Sequence, residues 1–256
     1  MADLEDLSDI IYINGDRHNQ CYTTTGITFE EFSSSLVCPL KNVLLLKHRF
    51  EWADFNLMSR FDYVEQENVA RLMDDDVHEY GEFCWVDFED SSDLDELEPS
   101  EIASLLYLGH MKEPLNKAFF PILNNTYAYL SEEDGRYTKV YYKKLYDFLF
   151  MLCNVIPLKL SDSQKRKMFF FQRPKQLSSI SIHVMEALLP IMEEGMIIDL
   201  SKKVDTRKAI EIPIYKIQSG RESMEFFTYE EKYSKISSIY GKLVYMKKEQ
   251  QWRLES

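Results

Sequence analysis

Asp74, Asp75, His78, Glu79 and Glu82 come nearest, of all residues in this chain, to the types and spacing of metal chemistry. On a helix, Asp74 with His78 and Asp75 with Glu79 stand at i, i+4 and share a face, the way a helix offers two ligands to one ion. A divalent metal held there would activate a bound water, so a metal-assisted hydrolase is one reading of the cluster. The run His78-Glu79-Tyr80-Gly81-Glu82 echoes the zincin pattern but carries Glu where the second His belongs. Gly81 also weakens the helix that must hold the geometry. EF-hand spacing is missing too, because no glycine falls at the sixth position of an oxygen-rich loop.

The same residues open a longer feature. From Asp74 to Glu101 there are thirteen carboxylates and neither Lys nor Arg, while the formal charge of the whole 256-residue chain is −13. Residues 1–101 hold 25 acids and 6 bases, and residues 102–256 hold 18 acids and 24 bases. Charge this concentrated acts as a local field on cationic partners. The leading expectation is therefore a non-catalytic protein of inhibitory, immunity or regulatory kind. Its acidic 74–98 surface would bind a basic macromolecule, most simply a protein. Asp87, Glu89, Asp90, Asp93, Asp95 and Glu96 would supply the charge, with Trp85 and Phe88 as aromatic anchors. A plain solvated face would need no partner at all.

A third reading rests on Lys159–Lys175, with six bases, one acid and Phe169-Phe170-Phe171 at its centre. Lys165, Arg166, Lys167 and Arg173 would contact phosphates while the rings stack bases. The acidic balance of the chain opposes long-range attraction to nucleic acid, so a nucleic-acid partner is not expected. A buried strand or a segment paired with the acidic tract explains the same residues.

Other chemistries lack their residues. The eight glycines lie at 15, 26, 81, 109, 135, 195, 220 and 241, too far apart for any glycine-paired phosphate loop or nucleophile elbow. Cys21, Cys38, Cys84 and Cys153 form no C-x-x-C pair, and His18, His48, His110 and His183 are dispersed. His183, between Ile182 and Val184, reads as a partly buried imidazole. No catalytic residues and no cofactor are expected. The acidic start lacks the order of a signal peptide, and no apolar run approaches the ~18 residues of a membrane helix. A cytoplasmic protein with reduced thiols and no membrane contact is the expectation.

An α+β fold must position these groups, with mixed or antiparallel sheets and flanking helices. Strands are expected at Ile10–Ile13, Cys21–Thr25, Val43–Lys47, Phe83–Phe88, Ala209–Ile217, Glu225–Tyr229 and Lys242–Lys247, with a turn at Asn14-Gly15-Asp16. Thr28 with Glu31 predicts a capping box, Pro99 opens a helix, and residues 51–79 read as mainly helical. Residues 89–99 read as an exposed loop. A β-hairpin at about 125–143 turns on Asp134-Gly135; its partners sum to 269, which places Tyr127 opposite Tyr142. Helices follow at 144–154 and 177–194, the latter kinked or ended by Pro190. The polar, basic stretch 161–176 divides an acidic region, 1–160, from a smaller basic-leaning one, 161–256, unless the two form one domain.

Overall fold

A computed structural model describes residues 9–47, 50–75, 77, 82–132, 135, 137–167, 177–217 and 237–255, the side chains of 162–167 and 237 excepted. The chain begins with strands β1 (Ile10–Asp16) and β2 (Cys21–Thr25), helix α1 (Phe29–Ser35), and strands β3 (Asn42–Leu45), β4 (Asp54–Phe55) and β5 (Asp62–Val64). Helix α2 (Val69–Asp74), strand β6 (Cys84–Phe88) and helix α3 (Pro99–Met111) follow, then β7 (Tyr127–Glu132) and β8 (Tyr137–Tyr142). The remainder comprises α4 (Leu145–Lys167), α5 (Ile182–Glu194), β9 (Met196–Asp199), β10 (Val204–Asp205), β11 (Ala209–Ile217), β12 (Ser237–Met246) and β13 (Gln251–Glu255). Helices combined with antiparallel strand pairs make this an α+β fold.

The described residues fall into two compact units. One takes them from Arg17–Thr23 and Thr28–Phe148, the other from Met1–Asp16, Thr24–Ile27 and Leu149–Ser256. The break expected at 161–176 begins inside α4, which runs to Lys167, and its remainder lies outside the described residues.

In the first unit, which takes β2 as far as Thr23, the strands follow the order β2-β8-β7-β6-β3-β5-β4. Alternation along β6 explains how this sheet is covered. Cys84, Val86 and Phe88 enter an aliphatic core with Leu44, Leu94, Leu97, Leu105 and Leu108. Phe83 and Trp85 instead join an aromatic cluster, where the Trp85 and Tyr129 rings stack with centroids 5.1 Å apart. Helix α1 adds Phe29 and Phe32 to that cluster. It starts where the capping box predicts: Thr28 Oγ1 accepts from the Glu31 N–H at 3.2 Å and Glu31 Oε2 accepts from the Thr28 N–H at 2.9 Å. On α3, Gly109 lies so close to the chain at Leu46 that a Cβ built there would sit 2.7 Å from the Leu46 Cβ. Only glycine permits that approach without displacement.

Strands β7 and β8 pair antiparallel with Tyr127 opposite Tyr142, the register that the sum of 269 gives. Residues 133, 134 and 136 of the expected turn lie outside the described residues. Tyr127, Tyr129 and Tyr142 are buried.

The other unit carries the order β13-β12-β11-β9-β1, with β10 beside β11. Helix α5 buries Met185, Leu188, Ile191 and Met192, and Pro190 lies within the helix without ending it. Strand β9 is buried along its whole length, so it lacks the polar-apolar alternation that marks a strand.

Four expectations are corrected. Strand β1 continues through Asn14-Gly15-Asp16, and the turn falls at 17–20, where Gln20 takes a φ of 53°. Residues 51–74 hold two short strands, a 3-10 turn and one short helix rather than a long helix, because Asn56 diverts the backbone into a turn. Within the expected exposed loop 89–99, residues 91–96 form a 3-10 turn with Leu94 buried, while Ser92, Asp95 and Glu96 are exposed as expected. His183 is exposed, with Nδ1 3.0 Å from Glu186 Oε2. The strand expected at Glu225–Tyr229 lies outside the described residues.

Candidate interaction surface

The acidic tract divides into carboxylates that the fold uses and carboxylates that it leaves at the surface. Glu82 belongs to the first group. Its Oε2 accepts from Lys112 Nζ at 2.6 Å and also meets Lys47 Nζ. Lys112 is buried; it takes a left-handed φ of 57° just after α3, and its ammonium donates to the Gly109 carbonyl at 2.9 Å. That ammonium therefore neutralises both the carboxylate and the negative end of the helix. Burial pushes the Glu82 carboxyl up, but the hydrogen bonds from Lys112 and Lys47 outweigh it and hold the group below its ordinary value.

Asp87 is also structural. It sits at the end of β6, half-buried, where Oδ1 accepts from the N–H groups of Thr126 at 2.9 Å and Tyr127 at 2.6 Å. Burial pushes its carboxyl up to about 6 against the pull of those donors. Glu89 is exposed and lies 3.3 Å from Lys41 Nζ. Asp90 caps the 3-10 turn Ser91–Glu96 by accepting from the Ser92 N–H at 2.9 Å, and this bond holds its carboxyl below the ordinary value.

Beyond Asp90 the pattern changes. Asp95 and Glu96 are exposed and Asp93 is half-buried, while Leu94 between them is buried and fixes the turn. Among the described residues no ion pair neutralises Asp93, Asp95, Glu96 or Glu98. Asp95 Oδ1 instead accepts from Asn56 Nδ2 at 2.7 Å. Tyr63 reports the resulting field: burial first, then the charges of Asp54, Glu65 and Asp95, raise its hydroxyl above the ordinary value. Three segments distant in sequence thus contribute to one negative region.

Trp85 and Phe88, expected as exposed anchors, lie in the interior at 0% and 1% exposure. Both faces of β6 are covered, one by the aliphatic core about Leu94, Leu105 and Leu108 and the other by Phe29 and Phe32 of α1. Exposed apolar side chains do stand on the stretch that Asn56 ties to Asp95: Phe55, Leu57 and Met58. The sequence reading missed them by assigning 51–79 to helix. The signal was an Asn followed three residues later by Ser, a side-chain turn that interrupts helical hydrogen bonding.

The metal-type residues are not brought together in the described part of the chain. Asp74 ends α2 and Asp75 follows it, both exposed, whereas His78 and Glu79 lie outside the described residues. Glu82 is committed to two ammonium groups, a poor setting for a cation ligand. Among the described residues no group of three or more His, Cys, Asp or Glu is placed to hold a metal. Lys165, Arg166 and Lys167 occupy the end of α4, with side chains not described, and Arg173 lies outside the described residues. Cys21, Cys84 and Cys153 are buried free thiols and Cys38 is exposed. Burial pushes Cys84 up to about 11 and Cys153 up to about 12, which disfavours the nucleophilic thiolate. No helix among the described residues is long and apolar enough to cross a membrane.

Comparison with known proteins gives no relative: no family model, curated protein or solved structure matches this chain.

Proposed function

We propose that this protein works by binding, not catalysis, and that its partner is a protein presenting a cationic face to the turn Ser91–Glu96 and the carboxylates around it. Of the original acidic set, Asp93, Asp95 and Glu96 carry the contact, helped by Glu89 at its edge. Asp87 and Asp90 serve the fold, as do Trp85 and Phe88. The observation that supports this reading is the arrangement about Asp95. The buried Leu94 holds the turn rigid, no cation of the described chain closes over its oxygens, and Asp54 and Glu65 add to the same field. A preorganised carboxylate group on a fixed turn gives up little entropy on binding and steers a cationic partner from a distance.

Charge removal tests it. The combined Asp93→Asn, Asp95→Asn and Glu96→Gln variant leaves every cap and ion pair described above in place. Binding of a soluble Lys/Ser peptide, measured at low and at physiological salt, is expected to weaken in the variant and to lose much of its salt dependence. Equal affinity and equal salt dependence in wild type and variant would reject the surface.

A further inference from the structure

The loop between β4 and β5 exposes large apolar side chains in a way that its own unit does not explain. Leu57 is 79% exposed, Met58 67% and Phe55 47%. A lone exposed leucine is ordinary; adjacent exposed Leu and Met on a fixed loop are less so. This loop is fixed. Asn56 Oδ1 accepts from the N–H groups of Met58 at 3.1 Å and Ser59 at 2.7 Å and from Ser59 Oγ at 2.8 Å. The backbone closes beneath the tip through Arg60 N–H to Asn56 O at 2.9 Å and Asn56 N–H to Phe61 O at 3.0 Å. Ser59 and Phe61 are buried, so the base of the loop is anchored while its tip projects. The conformation that exposes Leu57 and Met58 is therefore specified by hydrogen bonds rather than left to chance.

The rim selects what covers the tip. Asn56 Nδ2 binds Asp95 directly, and Asp54 and Asp95 both act on Tyr63, so carboxylates flank the apolar tip. One base, exposed Arg60, stands at the return of the loop. An apolar centre bordered by carboxylates complements an amphipathic cationic segment, a helix or strand whose apolar side chains meet Leu57 and Met58 while its lysines or arginines meet Asp54 and Asp95. The same border repels an anionic lipid surface, which would otherwise suit two exposed apolar residues.

We infer that the Phe55–Met58 tip is the apolar anchor of the interaction surface, and that its occupant is an amphipathic basic segment of a partner protein. The inference rests on the binding reading above and adds to it the source of affinity and selectivity. Burying one leucine or methionine side chain is worth roughly ten- to hundredfold in affinity. Charge alone would not distinguish an amphipathic peptide from an equally charged polar one; the tip would.

The decisive experiment compares two soluble probes against the whole chain. One is a Leu/Lys peptide with leucines at helical i, i+3, i+4 spacing, and the other is a Lys/Ser peptide of equal length and charge. Wild type is expected to prefer the amphipathic peptide by roughly tenfold or more. The Leu57→Ser, Met58→Ser variant is expected to lose that preference while binding the Lys/Ser peptide unchanged and keeping its thermal midpoint, since both side chains are exposed. A preference that survives in the variant, or that disappears only when exposed Leu106 and Met111 of α3 are changed to Ser, overturns the tip as the anchor. Equal binding of both peptides by wild type overturns the anchor and leaves the acidic surface standing. Binding of neither peptide removes both readings. Capture on phosphatidylcholine vesicles that needs Leu57 and Met58, without preference between the peptides, assigns the tip to lipid and overturns the inference.

Discussion

Glu82–Asp90 and Asp93–Glu98 are the two halves of the 82–98 run of the acidic tract, with four carboxylates each, yet the fold treats them differently. In the first half the oxygens are spent on Lys112 and Lys47, on the Thr126 and Tyr127 N–H groups, on Lys41, and on the cap at Ser92. In the second half Glu98 caps α3, Asp95 accepts from the Asn56 amide, and Asp93 and Glu96 stand on a turn held from beneath by Leu94. The difference teaches that charge counted along a sequence is not charge available to a partner. Availability depends on which donors the tertiary structure brings within hydrogen-bond distance.

Mutations should separate the halves by where their effects fall. The largest loss of stability is expected from Glu82→Gln, which leaves the Lys112 ammonium buried without its carboxylate. A cost of about 2–3 kcal/mol in urea unfolding follows, discounted because Glu82 itself is partly exposed. Its pH dependence carries a definite sign. The folded-state carboxyl lies below its ordinary value, so its contribution is present above the unfolded-state pKa and lost as pH falls through the folded one. The gap between wild type and variant should close on acidification.

Asp87 should behave oppositely. Its folded pKa is raised to about 6, so the stability it contributes is greatest below the unfolded-state value and declines as pH rises through about 6. Asp87→Asn places an amide N–H against a backbone N–H and is expected to cost about 1–2 kcal/mol near pH 4. The cost should shrink towards neutrality, as unfolding midpoints at a series of pH values would show. A gap that instead widens with pH would mean that the two N–H donors outweigh burial. Smaller still is Asp90→Ala, where loss of the cap at Ser92 is expected to lower the unfolding midpoint only slightly. Last come Asp93→Asn, Asp95→Asn and Glu96→Gln, each expected to move stability by less than about 0.5 kcal/mol while weakening cationic-peptide binding. If that set unfolds the protein as Glu82→Gln does, the contrast between the halves fails.

Elements whose signals are local were legible beforehand. Thr28 and Glu31 are three residues apart, and their reciprocal bonds need nothing beyond one helical turn. Pro99 opens α3 for the same local reason. The 54–60 loop was misread because Phe61, Val64, Val69, Leu72 and Met73 give an irregular apolar stripe that extends a helix over 51–79, while the feature that decides the path of the loop, Asn56 bonded to both its own loop and Asp95, spans segments far apart in sequence. Trp85 and Phe88 were misplaced for a related reason. The apolar residues of β6 do not reveal whether one face or both are covered, and only segments distant in sequence, Leu105 and Leu108 of α3 on one side and Phe29 and Phe32 of α1 on the other, cover both.

The amino-acid sequence by itself determined the density and sign of the charge, the scarcity of glycine that removes the phosphate-loop chemistries, and the local starts of α1 and α3. These depend on residue type or on contacts within a few positions. Only the tertiary structure decided which carboxylates meet a lysine, which aromatic rings are covered, and which apolar residues are left facing water. Those outcomes turn on chain segments meeting across tens of residues, as Glu82 meets Lys112 and Asn56 meets Asp95. An unfolded chain holds the same groups, but water, not a chosen partner, surrounds each of them.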